Sequence, residues 1–315
     1  MKSVIELKNI SKTFRGKKAV DGVSFAIEKG TVTALLGPNG AGKTTAMSMM
    51  LGLLEPSEGS VNLLGGSPGD RDIRDRIGVM LQEVAVMDGL KAGELIDLFR
   101  SYYSRPADRD YLIGLSGLSP ADLKRVAQKM SGGQKRSLGF ALAMAGNPDV
   151  LFFDEPTVGL DTGARRRFWN EVRQLAKLGK TVLFSTHYLE EADSEADRIL
   201  LFDQGKLAAD GTPEEIKRAL VKRSVSFLPE TAENDCLKRA EGLLAVRPAD
   251  KASVTESNGR IVVTAEDTDA VLRVLIESGL GIRDIRVDVG RLDAAFEQLT
   301  RNREANTLSE TQEAI

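Results

Sequence analysis

With 315 residues, 42% of them hydrophobic and 28% charged, the chain has the length of one large globular domain plus a smaller one and an ordinary soluble composition. A formal net charge of −3 excludes a nucleic-acid binder that relies on a strong positive field. A single cysteine, Cys236, excludes intrachain disulfides and cysteine-based zinc sites. The opening stretch Met1 to Glu6 has no secretory signal, and no apolar run approaches the roughly 18 residues of a membrane span, so a cytoplasmic location is expected.

In chain order, residues 4–10 and 19–27 alternate apolar and polar positions and predict strands of an antiparallel sheet. The turn between them, Ser11 to Gly16, carries Phe14, whose ring suits a core site as well as it suits stacking on adenine. Val32 to Leu36 is an apolar run that reads as a buried strand. It opens into Gly37-Pro38-Asn39-Gly40-Ala41-Gly42-Lys43-Thr44-Thr45 and then a helix over Ala46 to Leu54. This is the G-x-x-x-x-G-K-[ST] pattern in its strand–loop–helix context. Glycines let successive backbone N–H groups turn inward on a phosphate, and the helix N-terminus adds partial positive charge. Lys43 can reach the β- and γ-phosphates, and the Thr44 hydroxyl can ligate Mg²⁺.

Strands are expected over Ser60 to Leu64 and over Ile77 to Leu81, the latter running into Gln82. From there to about Ala145 the pattern is helical, with helices predicted over Glu94 to Tyr103 and Ala121 to Lys129, and it reads as a separate lobe. Ser131-Gly132-Gly133-Gln134 opens a helix over Lys135 to Gly146, a second anion-binding feature. Val150 to Phe153 is an apolar strand that ends in two carboxylates, Asp154 and Glu155, an expensive arrangement unless a cation or catalysis needs them. The turn Val158 to Asp161 leads into a charged helix, Arg165 to Leu178. A further buried strand, Thr181 to Thr186, ends at His187, the only histidine. In open α/β sheets ligands gather at such carboxyl ends, which favours a functional role for that ring. Arg198 to Leu207 reads as a closing hairpin, followed by a helix from Pro213.

Beyond residue 222 the predicted order is β-α-β-β-α-β, that of a ferredoxin-like unit, then a helix over Leu292 to Leu299 and a polar, disordered tail.

The phosphate loop, Gln82, Ser131-Gly132-Gly133-Gln134, the Asp154–Glu155 strand, Gly159-Leu160-Asp161 and His187 occur in one order at sensible spacings. That set resembles the nucleotide-binding domain of the ABC ATPases over residues 3–220. The resemblance implies an α/β fold. Residues 1–221 would form a P-loop ABC ATPase domain, with a mixed sheet and a helical subdomain at about 83–145. A small α+β accessory domain over 222–302 and a tail over 303–315 would follow. It also implies roles. Lys43 and the loop residues Gly37, Pro38, Asn39, Gly40, Ala41, Gly42, Thr44 and Thr45 would hold ATP, with Phe14 on adenine. Thr44, Gln82 and Asp154 would organise Mg²⁺, Glu155 would polarise the attacking water, Gln82 would touch metal or water, and His187 would contact the γ-phosphate. Ser131, Gly132, Gly133 and Gln134 would act in trans on ATP held by a second copy, and Asp161 would join the two sites. Met130 stands where Leu is common, a volume-conserving change, and Val158 replaces a small residue before Gly159.

Within that family the segment between Gln82 and Ser131 is too short for the coiled coils or zinc modules of repair and cohesion members. One ATPase domain departs from the usual two of translation factors. What is left is a transporter subunit on the cytoplasmic face of the cell membrane, working with a separately encoded integral membrane permease and no nucleic acid. The stretch Lys17 to Phe25 and the closing segment Arg291 to Thr300 are similar to those of drug-resistance and other type-2 exporters. By that analogy the extra domain would help dimerise or regulate the subunits. The alternative is a soluble ABC ATPase acting as a regulatory or ribosome-associated module. The membrane partner, not this chain, would choose the cargo.

Overall fold

The computed structural model describes residues 3–82, 87–220, 223–229, 236–246, 252–257 and 259–288. The chain divides into two compact units, Met1–Thr212 and Pro213–Ile315.

In the first unit, β1 (Ser3–Phe14) and β2 (Lys17–Glu28) form an antiparallel pair, and β4 (Glu58–Leu63) joins the other side of β1. The turn expected over Ser11 to Gly16 is shorter. The ladder continues through Lys12↔Val20, Thr13↔Lys18 and Phe14↔Lys17, leaving Arg15 and Gly16 as a two-residue turn. Both have positive φ, 47° and 84°, the backbone twist that matches two antiparallel strands. Phe14 is therefore a strand-end residue, 47% exposed, and not a core ring.

The second layer is a six-stranded sheet of order β5-β6-β7-β3-β8-β9. Its members are β3 (Val32–Leu36), β5 (Ile77–Met80), β6 (Val150–Asp154), β7 (Thr181–Thr186), β8 (Arg198–Asp203) and β9 (Lys206–Gly211). The first five are parallel and β9 is an antiparallel edge. Every residue of β3, β6 and β7 is buried, which is why these strands read as unbroken apolar runs: a parallel sheet is covered on both faces. Flanking elements are α1 (Lys43–Met50), the single turn α2 (Arg71–Arg74), α7 (Thr162–Lys177) and α8 (Leu189–Glu195). Edge-to-face contacts of Phe140, Phe153, Phe168, Trp169 and Phe184 hold α7 and the helical lobe to the sheet, with centroids 4.7–5.7 Å apart.

That lobe lies between β5 and β6 and contains α3 (Ala92–Ser101), α4 (Arg109–Ser116), α5 (Pro120–Leu123) and α6 (Gly132–Ala143). The helix expected over Ala121 to Lys129 is broken after α5. Ala92 N–H donates to the Arg125 carbonyl and Ala127 N–H to the Leu90 carbonyl, so tertiary pairing takes the backbone groups a helix would need. Helix α4 was not anticipated, although its ends carry ordinary signals. Asp108 accepts from Tyr111 N–H at 2.9 Å, and Gly117 closes the helix at φ 61°.

In the second unit, α9 (Pro213–Leu220) precedes β10 (Arg223–Pro229), α10 (Cys236–Val246), β11 (Ser253–Ser257), β12 (Arg260–Ala265), α11 (Thr268–Glu277) and β13 (Ile282–Asp288). The strands pair antiparallel in the order β11-β12-β10-β13, the strand order of a split β-α-β unit. Val225, Phe227, Ile261, Val263, Val271 and Leu275 form its core. Helix α9, placed with residues 1–221 on sequence, groups with this unit. The segment Leu292 to Leu299 and the tail over 303–315 lie outside the described residues.

Candidate nucleotide site

Strand register gathers the motif residues. Leu36 of β3 pairs with Thr186 of β7, and Asp154 of β6 pairs with Ser185 of β7. Met80 of β5 pairs with Phe153 of β6. The loops that leave these strands therefore start side by side at one edge, carrying Gly37, His187, Glu155 and, two residues past β5, Gln82. Gln82 is exposed, and residues 83–86 after it lie outside the described residues.

The phosphate loop curls because two of its glycines sit where nothing larger fits. A Cβ on Gly37 would lie 2.3 Å from the Phe202 carbonyl oxygen, and one on Gly42 would lie 2.5 Å from that of Ala19. Gly42 also has φ 102°, a strained setting for any side chain. Gly42→Ala is accordingly expected to lower stability by about 2 kcal/mol. Thermal melts would check this, and an unchanged melting temperature would contradict so close an approach. Lys43, 5% exposed, donates from Nζ to the Gly37 carbonyl at 2.7 Å and the Pro38 carbonyl at 3.0 Å. Burial pushes its ammonium below the usual lysine range, while the Glu155 and Asp154 carboxylates pull it back up.

Next to it, Thr44 Oγ1 lies 3.4 Å from Asp154 Oδ2. Adjacent oxygens around a small octahedral cation at 2.0–2.1 Å are about 3 Å apart, so this hydroxyl–carboxylate pair suits a hard divalent ion. Ser185 Oγ donates to the other Asp154 oxygen, Oδ1, and accepts from Glu155 N–H at 3.0 Å. Arg136 Nη1 donates to the Glu155 carbonyl at 3.1 Å. These bonds hold Glu155 at φ 48°, an uncommon backbone setting for a side-chain-bearing residue. Its carboxylate Oε1 lies 2.9 Å from His187 Nδ1, and the His187 and Tyr188 rings pack 4.1 Å apart. A carboxylate only accepts, so Nδ1 is assigned as the donor.

Ser131 and Asp161 occupy a different place in the chain. Ser131 caps α6: Gln134 N–H donates to its Oγ at 3.2 Å, and Ser131 N–H donates back to Gln134 Oε1 at 3.1 Å. Asp161 caps α7 by accepting from Ala164 N–H at 2.8 Å. Ser131, Gly133, Gln134, Leu160 and Asp161 share the wall of a cavity of about 1070 Å³. Among the described residues that line it, none belongs to the phosphate loop. Within one chain the phosphate loop thus takes no part in the wall that Ser131 and Asp161 share.

Comparison with known proteins places the chain in a family. A family model described as ABC transporter matches residues 20–158. A daunorubicin resistance ATP-binding protein of Streptomyces coeruleorubidus is 37% identical over 309 residues, covering 95% of this chain and 95% of that protein. The chain belongs to the family of ABC transporter ATPases. A Nod factor export ATP-binding protein I of Burkholderia lata is 38% identical over 215 residues, 66% of this chain and 71% of that protein. The solved ATP binding subunit of an ABC transporter superposes with a TM-score of 0.64 at 25% identity, covering 69% of this chain and 93% of that one. A dimeric ATP-binding cassette in a post-hydrolysis state, bound to ADP and Pi, gives 0.61 at 25% identity, over 66% of this chain and 98% of its own.

In this ABC ATPase the motif spacing leaves Ser185, Arg136 and Glu191 unmarked, yet each is bonded to a motif residue or its immediate neighbour. Ser185 sits inside an apolar strand, where a buried hydroxyl needs a partner and so hints at one.

Proposed function

We propose that two copies of this chain close on ATP at the cytoplasmic face of the cell membrane and drive export through a separate integral membrane permease. The observation that carries the reading is that, within one chain, the phosphate loop takes no part in the cavity wall that holds Ser131 and Asp161. Two copies facing each other would complete both sites.

Lys43 and the amides of Gly37 to Thr45 would hold the phosphates, with exposed Phe14 stacking on adenine and Lys12 Nζ 5.6 Å from its ring centre. Thr44 and Asp154, with Gln82 nearby, would hold Mg²⁺, which when bound supplies charge neutralisation at the phosphates. Glu155 would take the proton of the attacking water, and His187, anchored through Nδ1, would contact the γ-phosphate. Ser131, Gly132, Gly133 and Gln134 would close on the second copy's ATP, and Asp161 would lie in the turn between the two sites. Catalysis of this type is mostly positioning and electrostatics, which fits a site built of backbone amides and fixed carboxylates.

The exporter reading is supported by the 309-residue similarity to the daunorubicin resistance protein, which is long enough to include the second unit. No described helix is long and apolar enough to cross a membrane, consistent with a separate permease. Affinity purification from membranes tests the proposal. Recovery with a multi-span protein that stimulates ATP hydrolysis is expected, and recovery with ribosomes instead would overturn it.

Ser131→Ala is expected to leave ATP affinity within about twofold while weakening dimer closure by about tenfold, the scale of one lost hydrogen bond to a charged group. Light scattering with ATP, in a Glu155→Gln background that traps ATP, would read it. Loss of the α6 cap costs about 1 kcal/mol of stability and is measured separately by melting.

A further inference from the structure

Glu191 is a buried carboxylate that the nucleotide chemistry above does not use. It lies on α8, is 5% exposed, and ends no strand at the ligand edge. A carboxylate this deep is expensive unless its oxygens are fully engaged. Both are. Thr157 Oγ1 donates to Oε1, and Thr186 Oγ1 donates to Oε2 at 3.0 Å. Thr186 Oγ1 in turn accepts from Tyr188 N–H at 3.0 Å. Arg165 Nε, on the first turns of α7, stands 3.6 Å from Oε1, and its guanidinium lies 5.6 Å from the Tyr188 ring centre.

The two hydroxyls belong to different segments, a turn and the end of a strand. Thr157 is two residues after Glu155 and opens the turn that ends at Asp161, while Thr186 is the residue before His187. We propose that Glu191 is a positioning residue that straps the Thr157–Asp161 turn to the end of β7, so that Glu155, His187 and the dimer-facing turn hold one relative geometry. The inference rests on the roles given above to Glu155 and His187.

The strap has a simple physical basis. One carboxylate accepts from both the turn and the strand end, so neither hydroxyl can move without leaving a buried oxygen unpaired. Arg165 carries the same linkage to the helix that Asp161 caps and, through the Tyr188 ring, to His187. The strap touches neither the phosphate loop nor Lys43 in any described bond, so it acts on turnover and not on ATP affinity.

Steady-state hydrolysis and ATP affinity of the full chain test this. Glu191→Ala and Thr157→Val are each expected to lower kcat about tenfold with the ATP dissociation constant within about twofold, and Thr157→Ser to restore kcat. The pair Thr157→Val and Thr186→Val should be no worse together than the more damaging single change, because both cut one strap. Should Glu191→Ala not fold, the threonine pair carries the test alone. A kcat within twofold of wild type, additive threonine effects, or parallel loss of affinity and kcat that Thr157→Ser does not repair would overturn the strap. A Glu155→Gln control separates this from the underlying site: if that variant turns over normally the site reading fails, and if it is inactive while the strap variants are normal only the strap fails.

Discussion

Glu155→Gln is expected to lower ATP turnover by about 10²–10⁴-fold, the range for losing a positioned general base, while ATP binding survives. The amide keeps the shape of the side chain and offers His187 Nδ1 an oxygen at the same place, now 2.9 Å from the carboxylate. What it removes is the capacity to take a proton. The backbone does not need the carboxylate to hold its conformation. Ser185 accepts the Glu155 N–H, Arg136 donates to its carbonyl, and Gln tolerates the φ of 48° as Glu does. The phosphate loop's own bonds, led by those of Lys43, involve neither side-chain oxygen of Glu155. The variant should thus bind ATP and remain closed around it. Unimpaired steady-state hydrolysis would remove Glu155 from the chemistry.

Lys43→Ala should abolish both ATP binding and the dimer closure that depends on it. Bonds from an ammonium to phosphate oxygens are worth about 1.5–3 kcal/mol each, so losing two of them weakens affinity by at least about a hundredfold. The wild-type Lys43 ammonium is kept on the loop carbonyls of Gly37 and Pro38, a low-cost resting place that phosphate oxygens can replace. Burial also sets a pH dependence. The ammonium is held below the ordinary lysine range, so its proton is lost earlier as pH rises and the attraction for phosphate goes with it. Wild-type affinity should therefore decline on the alkaline side before ordinary lysines titrate. Equilibrium ATP binding across neutral to alkaline pH reads both, with melting curves as the control for folding. Retained affinity in Lys43→Ala would contradict the loop's assignment.

The strands that build the site were readable from composition because a parallel sheet covered on both faces demands unbroken apolar runs, and β3, β6 and β7 supply them. Helix ends were less readable. The helix expected over Ala121 to Lys129 met a competing partner, the segment before α3, that no local pattern encodes. Helix α4, by contrast, had its cap and stop in plain view at Asp108 and Gly117, without an apolar stripe strong enough to draw attention.

At the site, local chemistry marks the loop glycines, Lys43, Thr44, Asp154, Glu155 and His187 as candidates: backbone turned onto an anion, acids ending a buried strand, a ring ending its neighbour. Whether these residues meet was a question of strand order, and β5-β6-β7-β3 answers it by placing their loops side by side. The tertiary structure adds that Ser131 and Asp161 share one wall from which the phosphate loop is absent. It also adds the link from Glu191 to Thr157 and Thr186, which are 34 and 5 residues away in sequence. Residue type and spacing record what a local stretch can do. Which stretches share a surface depends on how the layers pack, and that is settled by buried contacts between residues far apart in the chain.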